Sequence, residues 1–344
     1  MLNTSTASAM TFPRLLILTS SLLAAAASAF GARSVAHLDR GETLVEQMLL
    51  AHASGKFFEG DVFLNTYGGS WDSPTDSSFF RLAHSKKKIL PRNRTTCAPF
   101  VTHLLRSTYG WDWKNHRILH PRTGGIKATA SPNPVLYYSA IKNRVGFTHR
   151  LTKMKDVRPG DIASIWYKKE TGDKGHTMIV VAVNPKPKPY TAVVDAQTKS
   201  AHRKIVPKLT GKLVYEVTVL DSSSTGHTRP APAGTAHAAK FNAAQIDTRW
   251  LARPDSPRSK KLRSAALTGG AGVGVIGIIV DPATGKIVGH TWSLPYVDYK
   301  KARAAWHRSV NDRVYFQATR ELVIGRLPAN LPVRPAQPGF DYRK

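Results

Sequence analysis

The chain contains one cysteine, Cys97, and the residues around it favour reactive chemistry. Thr96 is a suitable N-cap residue, so the sulfur is predicted at the N-terminus of a helix. Unpaired N–H groups and the helix dipole favour a thiolate there and could hold an oxyanion. Arg92 and Arg94 add positive charge, although a lone cysteine is more commonly a small buried hydrophobic residue. The apolar residues of this helix recur at the spacing of one buried face: Phe100, Val101, Leu104 and Leu105.

A thiol nucleophile needs a general base, and His176 is the strongest candidate among the 13 histidines. It follows Gly175 at the start of an almost continuously apolar segment, which predicts a buried strand. A side chain at the start of such a strand lies at the rim of the sheet, where it is held in place and can still be reached. The alternative is that this histidine only ends a strand.

A third polar group has to orient the imidazole, and two aspartates are candidates. Asp221 ends a strand predicted from Leu213, and Asp195 ends a shorter strand predicted from Tyr190. If either strand runs antiparallel to the strand that begins at His176, its end lies beside the histidine. The shorter connection slightly favours Asp195 on geometry alone, and both aspartates remain candidates at this point.

Patterns of other site types are missing from the sequence. It has no G-x-S-x-G elbow, no P-loop lysine and no clustered cysteine and histidine set. Glycines at 270, 272 and 274 are expected to permit close backbone packing. His116 and His120 are four residues apart but fall in a predicted loop, where we expect them to be solvated. The sequence therefore predicts no metal ion and no cofactor.

The elements that position these residues follow an α+β order. Helices are predicted at about 44–52, after a breaker at Gly41, at 97–105 and at 134–145. From about residue 157 the period becomes that of strands. Strands are predicted at 162–167, 175–183, 190–195, 213–220, 269–281 and 286–293. The segment 299–325 is predicted to be a helix that straightens into a strand near Leu322, and a proline-rich tail follows. We therefore expect N-terminal helices packed on an antiparallel sheet.

The N-terminus and the charge indicate an exported protein. An apolar run at 15–27 follows Arg14 and ends in an A-x-A pattern, so residues 1–29 are predicted to be a cleaved signal peptide, with an uncleaved anchor as the alternative. No other segment is long and apolar enough to span a bilayer. The net charge is +28, but lysine and arginine are spread along the chain without a nucleic-acid recognition pattern. We expect no nucleic-acid partner, and anionic envelope polymers are the partners that suit this charge.

Three motifs in this order resemble the NlpC/P60 superfamily of papain-like cysteine peptidases and amidases. They are TTC at 95–97, RPGDI at 158–162 and GHTMIV at 175–180. Later motifs, DSSSTGH at 221–227, DTR at 247–249 and TWS at 291–293, are similar to uncharacterised exported bacterial members. The resemblance implies a papain-like domain at 91–298 with an insertion at about 225–265, between an extension at 30–90 and a C-terminal helix and tail at 299–344.

The resemblance also implies an activity. Cys97 would be the nucleophile, His176 the base and Asp221, in preference to Asp195, the orienting residue. The implied reaction is hydrolysis of amide bonds in cell-wall peptides, commonly those that involve γ-D-glutamyl and diamino acid residues, in the periplasm or outside the cell. The expected partner is a peptidoglycan peptide or a related amide substrate. The alternative is a non-catalytic cationic envelope protein on the same fold that binds anionic cell-surface polymers.

Overall fold

The structure is a computed structural model that describes residues 35–59, 62–68, 79–84, 88–190, 206–224, 226–227, 247–251, 269–292 and 314–335. The signal peptide predicted at 1–29 lies outside the described residues. So do Asp195 and most of the insertion predicted at 225–265. The described residues all belong to one structural unit.

The longer helices lie in the first half of the chain. The described helices are α1 (Ala36–Ala53), α2 (Cys97–Tyr109), α3 (Pro134–Lys142) and α4 (Thr248–Leu251). Helix α1 passes through Gly41, so the prediction of a helix break at this glycine was wrong. A Cβ at Gly41 would lie 2.3 Å from Leu220 Cδ2 and 3.1 Å from Leu104 Cδ1. The glycine allows α1 to approach α2 and the sheet closely, and that packing offsets its low helix propensity.

A large antiparallel sheet forms the rest of the fold. It has nine strands in the described part of the chain, in the order β15-β14-β13-β12-β10-β9-β16-β8, with β11 paired to β12. Its strands are β8 (His149–Leu151), β9 (Ile162–Tyr167), β10 (Gly175–Val183), β11 (Lys188–Pro189), β12 (Leu213–Ser223), β13 (Gly270–Val280), β14 (Ile287–Thr291), β15 (Val314–Phe316) and β16 (Arg320–Arg326).

Short strands precede and flank this sheet. They are β1 (Phe58–Glu59), β2 (Val62–Phe63), β3 (Asn65–Tyr67), β4 (Phe79–Arg81), β5 (Arg92–Thr95), β6 (Ile118–Leu119) and β7 (Ile126–Lys127). Strands β3, β5 and β4 form a small sheet that leads directly into α2. The α+β class and the antiparallel sheet are confirmed. No helix among the described residues is both long and apolar enough to cross a membrane.

The strand predicted near Leu322 is confirmed, but it belongs to the main sheet rather than to a separate C-terminal segment. Residues 314–316 and 320–326 are strands of the main sheet, and β16 lies between β9 and β8. Leu322, Val323 and Ile324 are buried on both faces of the sheet, which explains their uninterrupted apolar run. The predicted boundary at residue 298 therefore cuts through the sheet. The helix predicted before residue 314 lies outside the described residues.

The sheet has a core on each face. Ile179 and Leu220 pack against the helices, and Met178 and Val219 belong to a second core on the opposite face. The two ends of the sheet approach each other around that second core. Gln317 bonds the backbone of Leu322 in β16 at 2.7 and 3.0 Å, and an isolated bridge joins residues 153 and 286. The sheet therefore curves into a partly closed barrel, with the second core inside.

Candidate active site

Cys97 is the first residue of α2, as predicted, and it is 4% exposed. Thr96 takes the N-cap position in an extended conformation, but its side chain makes no capping hydrogen bond. The helix's first backbone hydrogen bond runs from Phe100 N–H to the Thr96 carbonyl at 3.0 Å. The N–H groups of Cys97 and Ala98 come before it, so they have no partner within the helix and lie beside the sulfur.

The backbone before the cysteine is held from two directions. The carbonyl of Thr95 accepts a hydrogen bond from Ser222 Oγ of β12 at 2.7 Å and another from the Gly68 N–H at 3.2 Å. Tyr67 pairs with Thr95 between the parallel strands β3 and β5. Burial, followed by the nearby charges of Cys97 and Asp221, raises the pKa of the Tyr67 hydroxyl, which lies in the same site.

His176 is the second residue of β10 and lies opposite Ile165 of β9. The preceding residue has to be glycine, because a Cβ at Gly175 would lie 2.2 Å from the Ile165 carbonyl oxygen. Nε2 of His176 is hydrogen-bonded to Oδ2 of Asp221. The charge of Cys97, at the start of the helix that packs on β10, also acts on the His176 ring. Because Nε2 faces the carboxylate, Nδ1 is the ring nitrogen left for the sulfur. The structure thus places Asp221 in contact with His176, and Cys97 acts on the charge of the same ring.

The charges of this site depend on one another. Burial alone would lower the pKa of His176, but the charges of Cys97 and Asp221 and hydrogen bonds from both raise it to about 10. Burial would raise the pKa of Asp221, but the charges of Arg249, His227 and His176 hold it well below the usual range. The imidazole is therefore held as imidazolium beside the ionised carboxylate of Asp221.

Further buried polar and charged groups hold the carboxylate of Asp221. Its Oδ1 accepts from Arg249 Nη1 at 2.8 Å, and its Oδ2 also accepts from His227 Nε2 at 3.0 Å. Arg249 donates to both oxygens of Asp247 at 2.9 and 2.7 Å and to the carbonyl of Gly270 at 2.9 Å. Asp247 also accepts from the His227 N–H at 2.8 Å. We call Asp221, His227, Asp247 and Arg249 the carboxylate network, and all four are buried.

The glycine-rich stretch of β13 makes room for this network. A Cβ at Gly272 would lie 2.7 Å from Arg249 Cγ, and one at Gly274 would lie 2.2 Å from Asp247 Oδ2. The prediction that these glycines permit close packing is confirmed, although charged side chains rather than backbone fill the space. Thr248 Oγ1 accepts from the Val273 N–H at 2.9 Å, which ties α4 to the same strand.

His227, Asp247 and Arg249 lie in motifs that were recognised in the sequence, but no role was predicted for them. The available signal was a buried aspartate followed by histidine and then by an Asp-x-Arg pair. It also gave no role to Trp292, which stacks on His227 at 5.3 Å and meets the His176 ring edge-on at 5.1 Å. Trp292 therefore packs against both imidazoles that bind Asp221.

Two histidines in the loop after α2 are not solvated, contrary to expectation. His120 is buried and its Nε2 bonds Asp173 Oδ1 at 3.0 Å. The His116 ring stacks on Trp111 at 4.8 Å. The His116 contact lies within the loop, and the His120 contact joins the loop to the turn between β9 and β10.

The residues that could hold a metal ion lie within the same site. One ligand atom each from His176, Asp221 and His227 lies within 4.8 Å of the others. Each of these atoms is already hydrogen-bonded within the cluster, and Arg249 supplies the positive charge that a metal would bring. Cys97 is not part of this set of ligand atoms. The arrangement fits proton transfer between a thiol and an oriented imidazole.

The chain matches no protein-family model, no curated protein and no solved structure.

Proposed function

We propose that the protein is an exported cysteine hydrolase that cleaves amide bonds in cell-wall peptides, as members of the NlpC/P60 superfamily do. One observation supports this proposal most directly. The helix that begins with a thiol packs on the strand of a histidine, and Nε2 of that histidine is hydrogen-bonded to a buried, ionised aspartate. These are the three parts that nucleophilic thiol catalysis requires.

The proposed reaction has two halves. The thiolate of Cys97 attacks the amide carbonyl, a C–S bond forms, and the oxygen takes up the electron pair. The N–H groups at the start of α2 bind this oxyanion. His176 then donates its proton to the amine nitrogen, the C–N bond breaks, and the amine leaves. In the second half, neutral His176 takes a proton from water, the resulting hydroxide attacks the thioester carbonyl, and the acid leaves as the thiolate is restored.

Asp221 would act on the histidine rather than on the substrate. Its carboxylate orients the imidazole and stabilises the imidazolium of the resting state. Arg249 keeps that carboxylate ionised in a site from which water is excluded. The net charge of +28 would keep the enzyme near anionic envelope polymers.

Alkylation of Cys97 by iodoacetamide tests the proposal without a known substrate. An ordinary thiol ionises near about pH 8.5, so at about pH 6 it reacts slowly. We expect the folded protein to react readily at that pH, and His176→Ala to react at least about tenfold more slowly because the imidazolium is lost. His149→Ala removes an exposed histidine of β8 and should react as the wild type does.

Release of new amino groups from purified peptidoglycan then tests the substrate class. Cys97→Ser should release none, and prior treatment of the wild type with a metal chelator should change nothing. If Cys97 reacts only after unfolding, the hydrolase proposal is wrong and the cationic binding protein becomes the better account. Loss of activity with the chelator, without loss on Cys97→Ser, would point instead to the His176, Asp221 and His227 ligand set.

A further inference from the structure

The hairpin of β6 and β7 presents two large apolar side chains to solvent. Leu119 of β6 is 45% exposed, and Ile126 of β7 is 55% exposed. The two residues pair directly across the hairpin, so their side chains lie next to each other on one face. Ile118 comes directly before Leu119 and is fully buried in the core, so it anchors the opposite face. One face of the hairpin therefore holds it on the protein, and the other exposes an apolar pair.

Positive charge surrounds this apolar pair. No aspartate or glutamate occurs from residue 113 to residue 155. Three exposed cationic residues lie within three positions of the apolar pair in the sequence. We call these five residues the hairpin patch: Arg117, Leu119, Arg122, Ile126 and Lys127. The patch therefore combines exposed aliphatic groups with exposed positive charges.

The turn between β9 and β10 holds the hairpin in place. Nδ1 of His120 accepts a hydrogen bond from the Arg122 N–H at 3.3 Å, so Nε2 carries the proton that is donated to Asp173 Oδ1 at 3.0 Å. Asn133 donates to the other carboxylate oxygen of Asp173 at 3.0 Å. Arg122 Nη2 donates to the carbonyl of Glu170 at 2.9 Å. Because the hairpin is already fixed, a partner would bind the patch without first having to order it.

The carboxylates of this turn do not neutralise the patch. Both oxygens of Asp173 are bonded to uncharged or histidine side chains, and Glu170 pairs with Arg320 at 2.5 Å. Arg117 and Lys127 form no ion pair among the residues that the structure describes. Their charges are therefore left for an anionic partner outside the chain.

We propose that the hairpin patch binds the surface of a lipid bilayer that contains anionic phospholipids. Leu119 and Ile126 enter the boundary between headgroups and acyl chains, and the cationic side chains bind the phosphate groups. An anionic polysaccharide matches the charges of the patch but has no apolar layer for the aliphatic pair. Attachment of this kind does not depend on whether Cys97 is catalytic.

The position of the hairpin sets the orientation of the bound protein. The turn that holds it joins the end of β9 to the start of β10, where His176 lies. A bilayer bound at the patch therefore lies at the same end of the sheet as the candidate active site. The segment 184–189 follows the other end of β10 and should stay in water.

Vesicle binding with a local readout tests the proposal. The full chain is mixed with phosphatidylcholine vesicles, with or without phosphatidylglycerol, and flotation measures the bound fraction. Amide hydrogen exchange shows which segment contacts the bilayer, whether or not the apolar run at 15–27 binds it too. With anionic vesicles we expect exchange at 117–127 to slow by at least about threefold, and exchange at 184–189 to stay unchanged.

Apolar variants test entry into the bilayer. Leu119→Ser and Ile126→Ser should each weaken binding through the hairpin by about fivefold and reduce the slowing of exchange at 117–127, because less apolar surface leaves water. Leu50→Ser is the matched control, since this leucine is 43% exposed on α1, and it should bind as the wild type does.

Charge variants test the phosphate contacts. Lys127→Gln should weaken binding to the anionic vesicles by about fivefold, as loss of one cation at a bilayer surface gives. Lys186→Gln removes the same charge from an exposed position beyond the other end of β10 and should leave binding unchanged. Near-UV circular dichroism checks that each variant is folded, and the two apolar variants test the same point independently.

Three results would overturn the proposal. The first is vesicle binding in which the hairpin exchanges as fast as it does in the free protein. The second is binding that falls in Lys127→Gln but stays complete in both apolar variants, because that would show attraction to charge alone. The third is slowing of exchange at the hairpin as the protein concentration rises without lipid, because a second copy of the chain would then cover the patch.

Discussion

Replacement of Arg249 by methionine tests the carboxylate network most directly. Arg249 is 3% exposed and places its guanidinium between Asp221 and Asp247, with hydrogen bonds of 2.7 to 2.9 Å to both carboxylates. Methionine has a similar length and no charge, so it fills much of the space while it leaves two buried carboxylates without their counter-ion.

The expected cost follows from that charge imbalance. Removal of one partner from a buried ion pair typically lowers the free energy of unfolding by about 3–5 kcal/mol, because the other charge stays buried. Arg249 serves two carboxylates, so we expect Arg249→Met to reach the upper part of that range at neutral pH. Asp247→Leu combined with Arg249→Met removes one of the two buried carboxylates that lack a counter-ion, and it should recover part of the lost unfolding free energy.

The dependence of this stability loss on pH is the more specific test. In the wild type, the depressed pKa of Asp221 contributes stability above the unfolded value, about 3.9, that is lost as the pH falls through the folded value. Without Arg249 that pKa rises, because burial dominates, and the folded state then gains stability on protonation. The difference in unfolding free energy between wild type and Arg249→Met should therefore be largest near neutral pH and shrink towards about pH 4.

Denaturant unfolding, followed by tryptophan fluorescence at several pH values, measures this difference. Trp292, one of the seven tryptophans of the chain, stacks on His227 of the network and contributes to this signal. Arg117→Met makes the same chemical change at an exposed position and should stay within about 0.5 kcal/mol of the wild type. A loss below about 1 kcal/mol for Arg249→Met, or a loss that does not depend on pH, would refute the claim that Arg249 compensates buried charge. Arg249→Lys keeps the positive charge but loses the planar set of guanidinium donors, and it provides a folded variant if methionine is not tolerated.

Two further predictions concern the same site. Gly274→Ala places a Cβ 2.2 Å from Asp247 Oδ2 and should lower the free energy of unfolding by about 1–3 kcal/mol. Gly125→Ala is the control, because the nearest neighbour of its Cβ would be 3.5 Å away, and it should be nearly neutral. Equal effects of the two substitutions would contradict the close packing. In NMR titrations, His176 should stay protonated until about pH 10. Its contribution to the free energy of unfolding should therefore be lost as the pH rises from about 6.5 towards that value. Titration of His176 near pH 6.5 would contradict the ion pair with Asp221.

The elements that carry Cys97 and His176 could be predicted because their signals are local. One helical period and an N-cap residue define the start of α2, and an unbroken apolar run after Gly175 defines β10. At Gly41, tertiary packing outweighed the local sequence signal. Gly41 resembles a helix break in the sequence, but in the fold it lets α1 approach Leu220.

The remaining features depend on contacts between distant parts of the chain. Nothing near Leu322 indicates that its strand will lie between β9 and β8, because that pairing joins residues more than 150 positions apart. The role of Arg249 depends on space left by Gly272, which becomes apparent only when β13 lies beneath it. Spacing alone slightly favoured Asp195, because its connection to the histidine strand is shorter, and only the family resemblance favoured Asp221.

Strand β12 links the two halves of the site through neighbouring residues. Successive side chains of a strand point to opposite faces, so Asp221 turns towards His176 while Ser222 turns towards the backbone that precedes Cys97. A slip of one residue would exchange those faces and break both contacts together. The unbroken pairing of β12 with β13, from Leu213 with Val280 to Ser223 with Gly270, guards against such a slip. The glycines of β13 therefore serve the site twice, because they make room for Arg249 and Asp247 and belong to the ladder that sets the register of Asp221 and Ser222.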